Sequence, residues 1–191
     1  MKRMWLIFLL GLAFAAAATA QSISAGAKIE NFSMPDTTGK ISSLNDMKGK
    51  NGAVIIFVST QCPVVRGYSE RINQLALDYG AKGINVIGVN SNATESPDQV
   101  KAHAAATFKF PVLIDKGSSL ADKLGAGVTP EAYYIDASNV LLYHGAIDND
   151  RSGGNITEPY LRAAIEAGLA GKKVPRASAN AFGCSIRRTA D

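Results

Sequence analysis

The stretch from Ala53 to Ser59, AVIIFVS, constrains this chain more than any other segment. It is an unbroken apolar run of strand length, rich in β-branched residues, and lacks the alternation that a strand with one wet face requires. Such a strand must be covered on both faces, which puts it at the centre of a sheet between helical layers. Just past Cys62 the period changes. Val65, Ile72, Leu75, Ala76 and Tyr79 recur at helical spacing up to Gly80, with Arg66, Glu70 and Arg71 between them. A second buried strand follows at Ile84 to Val89, INVIGV, so the segment reads as a βαβ unit with parallel strands.

Beyond it, Ser96 caps a helix, Pro97 suits its first position, and Gln99 completes a capping box ahead of Val100 to Phe108. Phe110 to Ile114 reads as a short strand, and Ser118 to Leu124 as a short helix ended by Gly125. Ala132 to Ile135 and Val140 to Ala146 flank the turn-rich Asp136-Ala137-Ser138-Asn139 and predict an antiparallel hairpin. Thr157 is placed to cap a last helix carrying Leu161, Ala164, Ile165 and Leu169 on one face, with Gly171 after it. This order predicts an α/β fold, a central mixed β-sheet flanked by helices. The tail from Lys172 shows no periodicity, and its Lys172, Lys173, Arg176, Arg187 and Arg188 read as a solvated, mobile terminus.

Pro63 at the first helical position makes Cys62 the N-cap, where unpaired amides and the positive end of the helix dipole favour an anion. A thiolate is such an anion, and it is the reactive form of cysteine. Arg66 lies one turn along the same helix face, placed to add positive potential. Ser59, Thr60 and Gln61 make the approach to the sulfur polar, unlike the setting of an inert core cysteine. The other cysteine, Cys184, stands 122 residues away, so the pair permits either one bridge or two independent thiols. Two cysteines exclude a multi-cysteine zinc or iron–sulfur site within one chain.

The segments MPDTTGK (34–40), FVSTQCPVV (57–65), GVNSN (88–92), VTPEAYYID (128–136) and GAIDND (145–150), taken in order, resemble the alkyl hydroperoxide reductase and thiol-specific antioxidant (redoxin) branch of the thioredoxin superfamily, the peroxiredoxin-like proteins. The resemblance covers about residues 29–171. It implies a thioredoxin-like fold, with Cys62 as the attacking cysteine and Thr129-Pro130 as the cis-proline loop that faces it. On that reading Cys62, Cys184, Ser59, Thr60 and Arg151 are candidate catalytic residues, and Thr129, Pro130, Pro63 and Arg66 face the substrate. The chain also departs from the pattern. Val65 stands where thioredoxins carry their second cysteine. Ser59 and Ile55 replace the threonine and proline that peroxiredoxins place three and seven residues before the sulfur.

The resemblance implies a thiol-dependent oxidoreductase that reduces hydroperoxides or exchanges disulfides through Cys62, with Cys184 as a candidate resolving thiol and a static disulfide or spare thiol pinned by Phe182 and Ile186 as the alternative. Its partners would be a hydroperoxide or disulfide substrate and an external thiol reductant such as a thioredoxin-like protein, with no metal or organic cofactor. A redox-silent binding module for protein partners is the alternative that Val65 suggests.

Lys2 and Arg3, the apolar run from Met4 and the small residues Ala18-Thr19-Ala20 read as a secretory signal, residues 1–20, whose cleavage leaves Gln21 as the new N-terminus. Residues 21–171 then form one domain and 172–191 a tail carrying Cys184. Export makes the protein periplasmic in a bacterial host. Loss of Lys2 and Arg3 takes the net charge from +4 to +2, too weak a bias for nucleic acid. His103 and His144 lack a second ligand at metal spacing and read as surface or packing residues. The loop from Asp148 begins like a calcium loop but has Pro159 instead of glutamate at its twelfth position and a strand instead of a helix before it, which argues against one.

Overall fold

The computed structural model describes residues 23–189. The expected signal and its junction at Gln21 lie outside them. In chain order the elements are β1 (Ser33–Pro35), β2 (Ile41–Ser43), α1 (Leu44–Met47), β3 (Gly52–Phe57), α2 (Pro63–Gly80), β4 (Ile84–Asn90), α3 (Pro97–Thr107), β5 (Val112–Ile114), α4 (Ser119–Leu124), β6 (Val128–Thr129), β7 (Glu131–Asp136), β8 (Leu141–Gly145), α5 (Tyr160–Leu169), β9 (Ser178–Ala179) and β10 (Cys184–Ser185).

The middle of the mixed sheet is β3. It pairs antiparallel with β7, which pairs antiparallel with β8, and β9 adds to β8 in parallel. On its other side lies β4, tied to the end of β3 by Val58 N donating to Val89 O at 2.9 Å. The parallel partner of β4 is β5. Every residue from Ala53 to Phe57 is 0% exposed, which is why this strand is apolar without alternation. Val54, Ile56 and Val58 join one apolar cluster with Tyr68 and Ile72 of α2, Val100 of α3 and Ile165 of α5. Ala53, Ile55 and Phe57 join the opposite cluster with Leu120 and Leu124 of α4. Each large aliphatic side chain so buried contributes about 1.5–3 kcal/mol relative to exposure.

Helix starts and stops follow local chemistry. The α3 cap is a full capping box, with Gln99 N donating to Ser96 Oγ and Ser96 N donating to Gln99 Oε1. Gly125 ends α4 in the left-handed conformation, φ 71°. The last helix differs from expectation. Asn149 Nδ2 donates to the Thr157 hydroxyl, and Asn149 Oδ1 accepts from Thr157 N and Glu158 N. Thr157 is thereby drawn into the preceding loop, and α5 begins only after Pro159.

The tail also differs from expectation, because a strand of two residues leaves no periodic signature. Ser178–Ala179 extends the sheet, and Cys184–Ser185 pairs antiparallel with β6. Its basic residues are partly engaged: Arg188 Nε donates to Asp122 Oδ1 at 2.6 Å, and Arg176 lies 4.9 Å from the Tyr160 ring centroid.

The union of β8 and β9 depends on Gly145. Its φ is +125°, and a Cβ there would overlap the carbonyl oxygen of Ala179. Gly145→Ala is therefore expected to cost about 2–4 kcal/mol, read as a lowered midpoint of denaturant unfolding with an unchanged slope. Gly154→Ala, where the nearest atom to a new Cβ is Ser152 Oγ at 3.6 Å, is expected to leave the midpoint in place.

Candidate active site

The chain leaves β3 through Val58 to Gln61 and enters α2 at Pro63, so Cys62 is the N-cap residue, in extended conformation. It is 2% exposed and sits at the edge of the first apolar cluster. The covering group is the tail. Cys184 stands opposite Thr129 in the register of β10 with β6, and a disulfide joins it to Cys62 with the two Cα atoms 5.8 Å apart. Cys62 Sγ also lies 3.2 Å from the carbonyl oxygen of Thr129, whose bond to Pro130 is cis. A Cβ on Gly183 would overlap that same carbonyl oxygen, so only glycine lets the tail run this close to β6.

Buried carboxylates brace both loops that meet at the disulfide. Glu95, just before the α3 cap, accepts from Thr60 N at 2.8 Å and Asn90 Nδ2 at 2.6 Å through Oε2. Its Oε1 accepts from the Ser59 hydroxyl and, at a long 3.4 Å, from Gln61 N. Burial alone would raise this carboxyl group, but the donors from Ser59, Thr60, Asn90 and Gln61 outweigh it and hold it below its ordinary value. Glu131, the first residue of β7, does the same for the other loop. Its Oε2 accepts from Gly127 N at 2.9 Å and Val128 N at 3.4 Å, and its Oε1 lies 3.1 Å from the Tyr133 hydroxyl. Burial, followed by the charge of Glu131, pushes the Tyr133 hydroxyl far above its usual range.

The structure gathers some of the candidate residues and separates others. Cys62, Cys184, Thr129 and Pro130 converge, and Ser59 and Thr60 lead into them. The Ser59 hydroxyl is committed to Glu95, and the backbone of Thr60, rather than its side chain, meets that carboxylate. Pro63 is exposed at the first turn of α2. Arg66 is exposed as well; among the described residues no hydrogen bond joins its guanidinium to either cysteine. Arg151 approaches the site indirectly, with its guanidinium 5.4 Å from the ring centroid of Phe182, two residues before Cys184.

The weaker motifs lie elsewhere. His103 packs edge-on against Phe108, and burial lowers its ionisation below the usual histidine value. His144 stacks on Tyr133. The acidic loop spends its carboxylates internally: Asp148 on Tyr68 and Arg71, Asp150 on Ser152 and Asn155. Among the described residues no group of three or more His, Cys, Asp or Glu is placed to hold a metal ion. Sequence reasoning missed Glu95 and Glu131. The available signal was faint: a glutamate immediately before a capping serine, and another immediately after the proline of VTPE.

The AhpC/TSA family pattern matches residues 25–144. The thiol-disulfide oxidoreductase ResA of Bacillus thuringiensis is 30% identical over 122 residues, covering 64% of this chain and 69% of that protein. The crystal structure of a hypothetical protein from Sinorhizobium meliloti superposes with a TM-score of 0.81 at 34% identity, covering 90% of this chain and 98% of that one. Peroxidoxin BcpB from Mycobacterium tuberculosis superposes with a TM-score of 0.61 at 18% identity, covering 81% of this chain and 99% of its own, and shares the thioredoxin-like fold alone. Matched from ahead of the central strand into β8, with Cys62 and the Thr129-Pro130 bond inside the span, the chain belongs to the AhpC/TSA family.

Proposed function

We propose that this protein is an exported thiol–disulfide oxidoreductase that cycles between the Cys62–Cys184 disulfide and a dithiol. The observation that carries the reading is the bond between a helix-capping cysteine and a cysteine 122 residues away, formed beside the cis Thr129-Pro130 bond. A thiol at that cap meets the free amides at the start of α2, the setting in which cysteine acts as a nucleophile. In the reducing direction the Cys62 thiolate attacks one sulfur of a substrate disulfide, and the other substrate sulfur leaves as a thiolate and takes up a proton. The Cys184 thiolate then attacks Cys62 Sγ, forming the internal disulfide and expelling the second substrate thiol. An external dithiol, such as a thioredoxin-like protein, returns the bridge to two thiols. The ResA relative is itself a thiol-disulfide oxidoreductase by name, which agrees with this cycle.

Disulfide exchange is favoured over hydroperoxide reduction by the chemistry around Ser59. Its single proton goes to Glu95, and the residue that replaces the peroxidase proline, Ile55, is sealed in the second apolar cluster. Export rests on the basic and apolar character of residues 1–20. Residues 21–171 would form the mature domain, with 172–191 supplying the resolving thiol.

The reduced wild-type protein is expected to reduce a model protein disulfide such as that of insulin. Cys62→Ser should abolish the activity, and Cys184→Ser should stall as a mixed disulfide visible on a non-reducing gel. Wild-type rates in Cys62→Ser would overturn the assignment. A second outcome follows from Glu95. Its folded-state carboxyl lies below the ordinary value of 4.5, so its stabilisation is present above that pH and fades as pH falls through the lowered value. Glu95→Gln is expected to cost about 1–3 kcal/mol at pH 7, with the gap to wild type narrowing in denaturant titrations as pH falls through the lowered carboxyl value.

A further inference from the structure

Cys184 is held on both sides by contacts that do not involve its sulfur. Upstream, the ring of Phe182 packs on Tyr68 of α2, centroids 6.2 Å apart, with the Arg151 guanidinium 5.4 Å from its own centroid. Tyr68 is itself anchored, its hydroxyl donating to Asp148 Oδ1 at 2.6 Å. Downstream, Ile186 is 5% exposed and belongs to the second apolar cluster, while its N donates to Gly127 O at 3.0 Å. The next residue is gripped through its backbone: Arg187 N donates to Asn92 Oδ1 at 2.8 Å, and Ala93 N donates to Arg187 O at 2.7 Å. Arg188 closes the arm on Asp122 and on Ala126 O.

We propose that residues 182–188 form an arm docked by these contacts alone, with Phe182 and Ile186 as positioning residues that keep Cys184 beside Cys62 when the disulfide is open. The inference rests on the exchange cycle above and extends it. A thiol on a free tail would meet Cys62 at the modest effective concentration of a flexible tether. A docked thiol is already in attacking range and behaves as a neighbouring one, despite its distance along the chain. In the resolving step the Cys184 thiolate attacks Cys62 Sγ, the Cys62–Cys184 bond forms, and the outgoing substrate sulfur leaves as a thiolate and is protonated. Docking accelerates that step, whereas the first attack by Cys62, whose sulfur the tail covers, gains nothing from it. Arg151 thus serves the site through Phe182.

Amide hydrogen exchange in full-length Cys184→Ser, which has no disulfide, tests docking without reference to turnover. Ile186 and Arg187 amides are expected to exchange at least about 100-fold more slowly than in an unstructured peptide. Exchange at the unstructured rate would overturn the proposal, and chemically reduced wild type gives the same reading with the native side chain. The kinetic test uses oxidised glutathione as the substrate disulfide. Phe182→Ala and Ile186→Ala are each expected to slow release of glutathione from the Cys62 mixed disulfide about 10-fold, with the first attack as fast as in wild type or faster because the sulfur is less covered. Unchanged release, or equal slowing of both steps, would overturn the positioning role while leaving the oxidoreductase assignment to the Cys62→Ser comparison.

Discussion

Complete desolvation of β3 is the constraint from which the architecture follows. A strand with no exposed atom on either face demands a helical layer on each side and hydrogen-bonded neighbours along both edges. Helices α2, α3 and α5 cover one face, and α4 with the N-terminal segment covers the other. Because β3 ends deep in the sheet, the chain has to turn outward at once, and Pro63 starts the next helix as soon as Cys62 is reached. The sulfur is thus placed at a helix beginning by the need to cover a strand.

The loops that surround this sulfur carry backbone amides without sheet partners, and the structure satisfies them with charge. Glu95 and Glu131 each bring a carboxylate inside the protein, where an unpaired charge would be prohibitive. The cost is offset because each oxygen faces donors: Ser59, Thr60, Gln61 and Asn90 for one, Gly127, Val128 and Tyr133 for the other. A carboxylate accepts several hydrogen bonds at once and bonds each more strongly than a neutral acceptor would. Rigidity at a thiol–disulfide centre therefore comes from acids that never touch sulfur.

Much of this was legible in the residues, and the failures have physical causes. The switch of period at Cys62, the capping box at Ser96 and the hairpin around Asp136–Asn139 are local signals, readable because the groups that satisfy one another are close in the chain. A mixed α/β order of elements emerges from them, the resemblance adds the thioredoxin-like fold, and the cis bond at Pro130 agrees with it. Thr157 misled because its hydroxyl has two possible uses, and Asn149, eight residues earlier, claims it. Glu95 and Glu131 look like solvated charges because their donors come from other loops. The tail looked free because β9 and β10 are two residues each, held by backbone pairing that any sequence permits and by apolar contacts of Phe182 and Ile186 with distant helices.

The disulfide also ties the first crossover of the fold to its last strand, closing a loop of 122 residues. A cross-link over such a span removes much of the freedom of the unfolded chain, worth about 4–5 kcal/mol in the chain-entropy description. Durability and reducing power therefore run in opposite directions in this molecule. The oxidised form resists unfolding and the proteases that act on unfolded chains, whereas the dithiol form, the one able to donate electrons, lacks that constraint on its unfolded state.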